Sequence, residues 1–360
     1  MDQNTVMDRP FFSICIPAYN RARHLTPLLD SIFQQDFSSF EVVICEDQSR
    51  ERPEIAAIAK RYAEFHPGKL RYLENAVNLG YDANIRELVA RAEGKFCFFM
   101  GNDDVMCPGA LAHVHELGQR HPGMGLALKS YAWFDESADS INQEVRYFNE
   151  ETVLSAGVQA IGVCFRRSGV ISGYVVDRDR AHAAATTKFD GTLYYQMHLT
   201  ASVLVDSDAV CTPQVLVLCR SNEPPEFGNS ANEKGKFVPG RYTPDARLRM
   251  ISGAISIIVD LRDSGRLDVV DIVLKDYANY FYPYIKDQLG LGLKEYFKLY
   301  RSFGRMGFSR YPLFHIYFVL AYLLGERRFD SLTRMLRGAL GRSPHFGLAH
   351  RPAARASSRT

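Results

Sequence analysis

The sequence has almost no net charge, no long apolar run and a polar beginning. Its 43 basic residues nearly balance 41 acidic ones, which leaves a net charge of +2 over 360 residues. Such a balance creates no general field for a polyanion, so we expect no nucleic-acid partner. The first ten residues contain no apolar segment of a secretion signal. The longest apolar run, residues 311–324, is shorter than the roughly 20 residues that cross a bilayer. We therefore expect a cytoplasmic protein.

The sequence also lacks paired cysteines. Its seven cysteines are odd in number, and no two have the Cys-x-x-Cys spacing of zinc and redox sites. Several, such as Cys15 and Cys45, lie within apolar stretches, which favours buried free thiols in a reducing compartment. A chain of this length buries enough surface to fold without disulfides or a structural metal. These features exclude a small disulfide-stapled scaffold.

Short apolar stretches alternate with helical patterns in the first half of the chain. Strands are predicted at residues 12–17, 40–45, 70–73 and 95–100, and helices at 25–32, 53–65, 81–92 and 108–119. This alternation predicts an α/β fold, with an open, mostly parallel sheet and helices on both faces. Ligands of such sheets bind outside the carboxyl ends of the strands. That rule points to three polar loops, at 18–21, 46–49 and 101–104.

Carboxylates stand out in the third of these loops, Gly101-Asn102-Asp103-Asp104, which directly follows the apolar stretch KFCFFM. Two adjacent carboxylates repel each other, so a tight loop that holds both needs a cation or polar donors. A hard divalent ion such as Mg²⁺ or Mn²⁺ would supply that charge and would bridge to a diphosphate. The alternative is a solvated Asn-Asp turn without a ligand.

Two further acidic positions have a functional and a structural interpretation. Glu46-Asp47-Gln48-Ser49 follows the second strand, where a carboxylate can accept hydrogen bonds from a base or ribose, or can form a turn. Asp190 precedes an apolar helix predicted at 192–205. It could cap that helix, or it could act as a general base at the edge of a cleft.

In combination, these segments resemble glycosyltransferase family 2, which has the GT-A fold. The matching segments are Ser13-Ile14-Cys15-Ile16-Pro17-Ala18-Tyr19-Asn20-Arg21, Glu46-Asp47-Gln48-Ser49, Asn78-Leu79-Gly80 with Asn84, and Gly101-Asn102-Asp103-Asp104, at the family's spacing. Ile171-Ser172-Gly173 and Phe189-Asp190-Gly191-Thr192 resemble the abequosyltransferase-like branch, which acts in bacterial O-antigen assembly. The resemblance implies an inverting, metal-dependent transferase of the hexosyltransferase type. It would move a sugar from a nucleotide-diphosphate donor to a hydroxyl of a polyprenyl-linked saccharide.

The resemblance also implies roles for particular residues. The donor site would comprise Pro17, Ala18, Tyr19 and Arg21 around the nucleotide, Asp47 at the base edge, the segment of Asn78, Gly80 and Asn84, and Asp103 at the ribose or the ion. Asp104 would be the main ligand of Mn²⁺ or Mg²⁺, with Asp103 beside it, and Asp190 would be the catalytic base. Arg220 could reach the diphosphate or could be a plain surface arginine.

Three positions depart from the family pattern. Gly101, or Asn102 if the register is shifted by one residue, stands where the first acid of the Asp-x-Asp motif is usual, which could weaken metal affinity. Phe189 replaces the acid that normally precedes the base, and Gln48 replaces a turn glycine. A nucleotide-binding protein with degenerate catalysis therefore stays open as an alternative. A nucleotidyltransferase would show a Gly-rich phosphate loop near the N-terminus, and none is present.

The rest of the sequence predicts three regions: a catalytic domain at 1–242, a helical region at 243–340 and a disordered basic tail at 341–360. The polar segment 222–240 reads as a loop that could close over the donor, with Glu226 and Asn229 near the acceptor. Aromatic residues between 277 and 300 either pack the helices or meet a bilayer interface. Arginines such as Arg301 and Arg327 on either side of the apolar run favour peripheral contact with the anionic inner face of the plasma membrane.

Overall fold

The computed structural model of the chain describes residues 9–340, apart from residues 225, 227, 231–232 and 238–241. The predicted basic tail at 341–360 lies outside the described residues, as does the end of the predicted lid at 238–240.

One twisted sheet forms the centre of the molecule. Its strands are β1 (Phe12–Ala18), β2 (Phe40–Glu46), β3 (Leu70–Glu74), β4 (Phe96–Phe99), β5 (Val105–Met106), β6 (Met124–Phe134), β7 (Ile141–Val145), β8 (Thr152–Leu154), β9 (Tyr174–Asp177) and β10 (Asp208–Arg220). Their order is β3-β2-β1-β4-β9-β6-β10-β5, with β7 beside β6 and β8 beside β10. Strands β3, β2, β1 and β4 are parallel to one another, and β6 is parallel to β10. Strand β9 lies between β4 and β6 and is antiparallel to both. The predicted GT-A sheet is confirmed.

Helices cover both faces of this sheet. They are α1 (Ala22–Phe33), α2 (Arg52–Phe65), α3 (Tyr81–Arg91), α4 (Ala110–Arg120), α5 (Val158–Arg167), α6 (Arg178–Ala183), α7 (Tyr195–Val203), α8 (Pro244–Asp263), α9 (Val270–Asn279), α10 (Leu293–Arg305) and α11 (Pro312–Leu340). Strand β1 shows why two layers form: Ile14 and Ile16 join the core under α1, α2 and α4, while Cys15 joins the core under α3, α5 and α7. Successive side chains of a strand point to opposite faces, and a parallel strand buried on both faces therefore reads as one apolar run.

The helices after residue 242 share the second of these cores. Ile255 of α8, Leu274 of α9, Phe303 of α10 and Phe318 of α11 belong to the same buried cluster as residues of α5 and α7. The boundary proposed at residue 242 is therefore crossed by a continuous apolar core. Within the described part of the chain, no helix combines the length and the apolar character needed to cross a membrane.

Helix α7 begins later than its sequence pattern predicts. Its N-cap is Tyr194, so the alternative in which Asp190 caps the helix is wrong. The carboxylate of Asp82 on α3 instead accepts hydrogen bonds from the backbone N–H groups of Leu193 and Tyr195, both at 2.9 Å. Leu193 has a positive φ of 66°, a conformation that costs energy in a non-glycine residue and persists because the neighbouring contacts fix it. Asp82 thus joins α3 to the start of α7.

Candidate active site

A cavity of about 720 Å³ opens along the carboxyl edge of the sheet. Of the residues predicted for the site, those that line it are Pro17, Tyr19, Arg21, Asp47, Asn84, Asp103, Asp104 and Arg220. The remaining ones, Ala18, Asn78, Gly80 and Asp190, are not part of its lining. The strand ends of β1, β2 and β4 bring the lining residues together because parallel strands present their carboxyl ends at one edge.

Asp47 is a buried acceptor at the end of β2. Its carboxylate accepts hydrogen bonds from the backbone N–H groups of Leu79 and Gly80 and from the amide of Asn75, each at 2.8 Å. Burial raises the pKa of Asp47, and these hydrogen bonds oppose the rise. The amide of Asn78 donates to the backbone carbonyl of Asp47 at 2.6 Å. Gly80 therefore binds the carboxylate of Asp47 and Asn78 binds its backbone, and neither residue lines the cavity.

The two adjacent aspartates have different partners. Asp103 forms an ion pair with Arg21. Asp104 accepts hydrogen bonds from the backbone N–H of Arg220 at 2.8 Å and from the hydroxyl of Ser172. Burial, and then the neighbouring charge of Asp103, raise the pKa of Asp104 to about 7. Negative charge at this point is therefore incompletely compensated by the protein.

Gly101 makes room for the arrangement around Asp104. Its backbone N–H donates to the Ser172 hydroxyl at 2.7 Å. A side chain at position 101 would place its Cβ only 2.8 Å from Oδ2 of Asp104 and 3.1 Å from Oγ of Ser172. The residue that replaces the family's first acid thus lets Ser172 approach Asp104 closely.

The donor set fits a hard divalent ion together with a diphosphate. Among the described residues, no group of three or more His, Cys, Asp and Glu side chains forms a ready-made metal cluster. Magnesium, however, is commonly held by one or two carboxylates plus substrate phosphates. The oxygens of Asp103 and Asp104, with the raised pKa of Asp104, suit that mode of binding.

The segment after β10 closes one side of the cavity. The backbone carbonyl of Pro224 accepts a hydrogen bond from Arg21, and Glu226 accepts one from the amide of Asn20 at 3.4 Å. Glu233, which is 2% exposed, accepts hydrogen bonds from the backbone N–H groups of Tyr81 and Gly228, both at 2.9 Å. We call the described residues of 221–237 the lid. The lid contacts the loop after β1 and the start of α3, where the sequence placed a loop near the donor.

Asp190 is not part of the cavity wall. Its carboxylate pairs with Arg86 of α3, whose guanidinium also donates to the carbonyl of Thr186 at 3.2 Å. The side chain of Asp190 is 34% exposed. The structure therefore separates Asp190 from the aspartates of the cavity, and the role of base stays a prediction.

Sequence reasoning missed Ser172 and Glu233 as parts of the site. Both approach it from distant parts of the chain: Ser172 reaches Asp104 across 68 residues, and Glu233 reaches Tyr81 across 152. Ser172 stands in the segment that resembles the abequosyltransferase-like branch, which was the available signal. Nothing in the local sequence distinguishes Glu233 from other glutamates of the loop.

Comparison with known proteins supports the resemblance to glycosyltransferase family 2. Residues 13–170 match the family model described as glycosyl transferase family 2. The chain is 32% identical over 100 residues to the abequosyltransferase RfbV of Salmonella typhimurium. The aligned segment covers 28% of this chain and 30% of that protein. It is 33% identical over 139 residues to the uncharacterized protein MT1568 of Mycobacterium tuberculosis, with coverages of 39% and 41%. The matched part thus spans less than half the length of these curated relatives.

A solved structure shares the fold over a larger part of the chain. TarS 1–349 of S. aureus, in complex with UDP-GlcNAc, superposes with a TM-score of 0.59 and 17% identity. The match covers 82% of this chain and 80% of that one. Such a low identity reports on the fold alone. The match to glycosyl transferase family 2 therefore covers residues 13–170, less than half of the chain, and these residues lie on a GT-A fold.

Proposed function

We propose that the chain transfers a sugar from a nucleoside-diphosphate donor to a hydroxyl group of a saccharide acceptor. The observation that carries this proposal is the cavity that joins Asp47, Arg21 and the Asp103–Asp104 pair at one edge of the sheet. A similar fold holds UDP-GlcNAc in TarS, and RfbV is named an abequosyltransferase. The charges of the cavity suit a diphosphate, and its buried carboxylate suits a nucleobase.

The donor is proposed to lie along the strand ends from β2 to β4. Pro17 and Tyr19 would flank the base, while Oδ2 of Asp47, which accepts one hydrogen bond from Gly80, keeps a lone pair for a base N–H. Arg21 and Arg220 would face the diphosphate with their guanidinium groups. Asp104 would be the main ligand of Mn²⁺ or Mg²⁺, and Asp103 would contact the ribose or the ion. When bound, this ion would neutralise charge on the departing diphosphate.

The proposed reaction inverts the anomeric carbon by direct displacement. The acceptor oxygen forms the new bond to the anomeric carbon as the bond to the diphosphate breaks. Arg21 and Arg220 stabilise the charge that develops on the leaving group. Asp190 takes the hydroxyl proton, and its ion pair with Arg86 holds the carboxylate in place.

Nucleotide binding is the direct test of the donor site. At about 100 times its dissociation constant, a ligand stabilises its protein by about 2.7 kcal/mol. We expect one of UDP, CDP, GDP and dTDP to raise the melting temperature, and Mn²⁺ to increase that shift. Arg21→Ala should weaken binding at least about tenfold, because it removes a cation and leaves Asp103 uncompensated.

Arg23→Ala is the matched control for Arg21→Ala. Arg23 lies two residues further along the chain, but its side chain is 68% exposed and pairs with Glu223. It should leave nucleotide affinity unchanged. If no nucleotide diphosphate stabilises the wild type, or if both variants bind as the wild type does, the proposed donor site is wrong.

A lipid-linked acceptor in bacterial surface polysaccharide or O-antigen synthesis is the finer part of the proposal. Supporting it is a stripe on α11, formed by Leu313, Ile316, Val319, Leu320 and Leu323, all of which are exposed. The opposite side of the helix, with Phe314 and Phe318, is buried. A helix that is apolar on all sides is normally covered, which supports an apolar partner for the α11 stripe.

An anionic bilayer fits this stripe because exposed basic side chains precede and follow it in the sequence. These are Arg301 and Arg305 of α10, Arg310, and Arg327 and Arg328 of α11. Each basic residue near an anionic leaflet contributes about 1 kcal/mol. The proposal thus places the protein peripherally on the inner face of the plasma membrane, where polyprenyl-linked saccharides are found.

Co-sedimentation with liposomes tests the α11 stripe. We expect Leu320→Glu with Leu323→Glu to reduce binding of the full chain to phosphatidylglycerol vesicles at least about tenfold, because the variant inserts charge into the apolar contact. Phe65→Glu is the control, since Phe65 is 74% exposed on α2. Equal sedimentation of the stripe variant and the wild type would exclude this membrane surface.

A further inference from the structure

One part of the cavity wall, here called the far end, has a different chemical character from the donor end. The features proposed for the nucleotide lie at the ends of β2, β1 and β10 and in the loop after β4. The far end consists of Trp133, Asn142, Gln143 and Val170. Trp133 lies near the end of β6, which is the neighbour of β10 in the sheet. It is opposite Cys219, the residue before Arg220, so Trp133 lies beside the diphosphate end of the proposed donor.

Trp133 and Gln143 face the cavity as a pair. They are directly opposite each other in the antiparallel ladder of β6 and β7. Residues opposite each other in such a ladder project from the same face of the sheet. The indole also packs edge-on against Tyr131, with ring centroids 5.6 Å apart. The orientation of the ring is thus fixed by the strand and by a buried neighbour.

We propose that Trp133 and Gln143 form a subsite for an uncharged saccharide ring. The wall residues named above carry no ionised group, which contrasts with the aspartates and arginines of the donor end. The negative face of an indole attracts the weakly positive C–H groups on one face of a pyranose. A carboxamide can donate to and accept from sugar hydroxyls in the same plane. Trp133 would thus recognise the face of the sugar ring, and Gln143 would recognise its hydroxyl groups.

This subsite deepens the proposed function and rests on it for the source of the saccharide. The sugar of the donor and the terminal residue of the acceptor meet at the anomeric carbon, so either could occupy the far end. Both present the same chemistry to Trp133 and Gln143. The two sources differ in whether the ring arrives attached to a nucleotide, and a binding experiment can separate them.

Trp133 is the only tryptophan among the 360 residues, so tryptophan emission reports on this subsite directly. The full-length protein is titrated with UDP, UDP-glucose and UDP-N-acetylglucosamine. It is also titrated with methyl glycosides of glucose, galactose, mannose and rhamnose, with and without UDP. We expect saccharide-bearing probes to change the emission and UDP alone to leave it nearly unchanged. A response to nucleotide sugars only assigns the ring to the donor, whereas a response to free glycosides assigns it to the acceptor.

Gln143→Ala supplies the matched variant. It should weaken the saccharide response about tenfold while calorimetry shows unchanged affinity for UDP. Gln119→Ala, on the exposed surface of α4, should behave as the wild type. The subsite is wrong if no saccharide probe changes the emission, or if UDP alone produces the whole change. Failure of the proposed function looks different, since nucleotide binding itself would then be absent in calorimetry.

Discussion

Asp104→Asn is expected to lower kcat/KM for sugar transfer at least about 100-fold while the protein stays folded. The side chain lies in the loop between β4 and β5, is 8% exposed, and accepts hydrogen bonds from the backbone of Arg220 and from Ser172. Asparagine keeps one oxygen for the Arg220 N–H, and the Ser172 hydroxyl can turn to accept from the new amide. The substitution therefore removes charge without removing contacts.

The measurement is the transfer rate and the nucleotide affinity of the variant over a range of Mn²⁺ concentrations. It separates an effect on the rate from an effect on the Mn²⁺ requirement. We expect the variant to need much more Mn²⁺, because one of the two carboxylates proposed to hold the ion has lost its charge. Asp135→Asn is the control, since Asp135 is exposed and is not part of the cavity wall. A variant at Asp104 with unchanged rate and unchanged Mn²⁺ dependence would show that the pair does not act on the diphosphate.

The sheet and one end of the site were predictable because their signals are local. Apolar runs and helical periods alternate along the first 120 residues, and a polar loop follows each strand that lines the cavity. Asp47 directly follows β2, and Asp104 comes five residues after the end of β4. The rule that ligands bind at the carboxyl edge then brings both to one cavity without knowledge of the side-chain packing.

The interactions that hold the site together were not predictable in the same way. The start of α7 is fixed by Asp82, 111 residues before Leu193, and the lid is fixed by Glu233, 152 residues after Tyr81. Contacts of this kind depend on how α3, α7 and the lid pack, and no local pattern of residues records that packing. This explains why Asp190 reads as a helix cap from its sequence, whereas Asp82 supplies the stabilising carboxylate.

The second large effect is expected at Asp190. Asp190→Asn should lower kcat by about 10²–10⁴-fold, the usual contribution of a general base, and should leave nucleotide affinity unchanged. Asparagine is nearly isosteric and can still accept a hydrogen bond from Arg86, so the start of α7 should be preserved. Single-turnover transfer and calorimetry with the nucleotide diphosphate give the two quantities separately. Asp206→Asn is the matched control, since Asp206 is also an exposed aspartate paired with an arginine, Arg180.

Glu226→Gln makes the test of Asp190 discriminating, because Glu226 is a carboxylate that does line the cavity. It accepts hydrogen bonds only from amides among the described residues, those of Asn20 and Asn229, and glutamine can keep one of them. We expect this variant to change KM more than kcat. Loss of turnover in Glu226→Gln, with normal turnover in Asp190→Asn, would move the base from the start of α7 to the lid. If the wild type binds the nucleotide but shows no turnover, the chain is a binding protein with degenerate catalysis. Binding can persist without catalysis because the donor site and the base occupy separate parts of the fold.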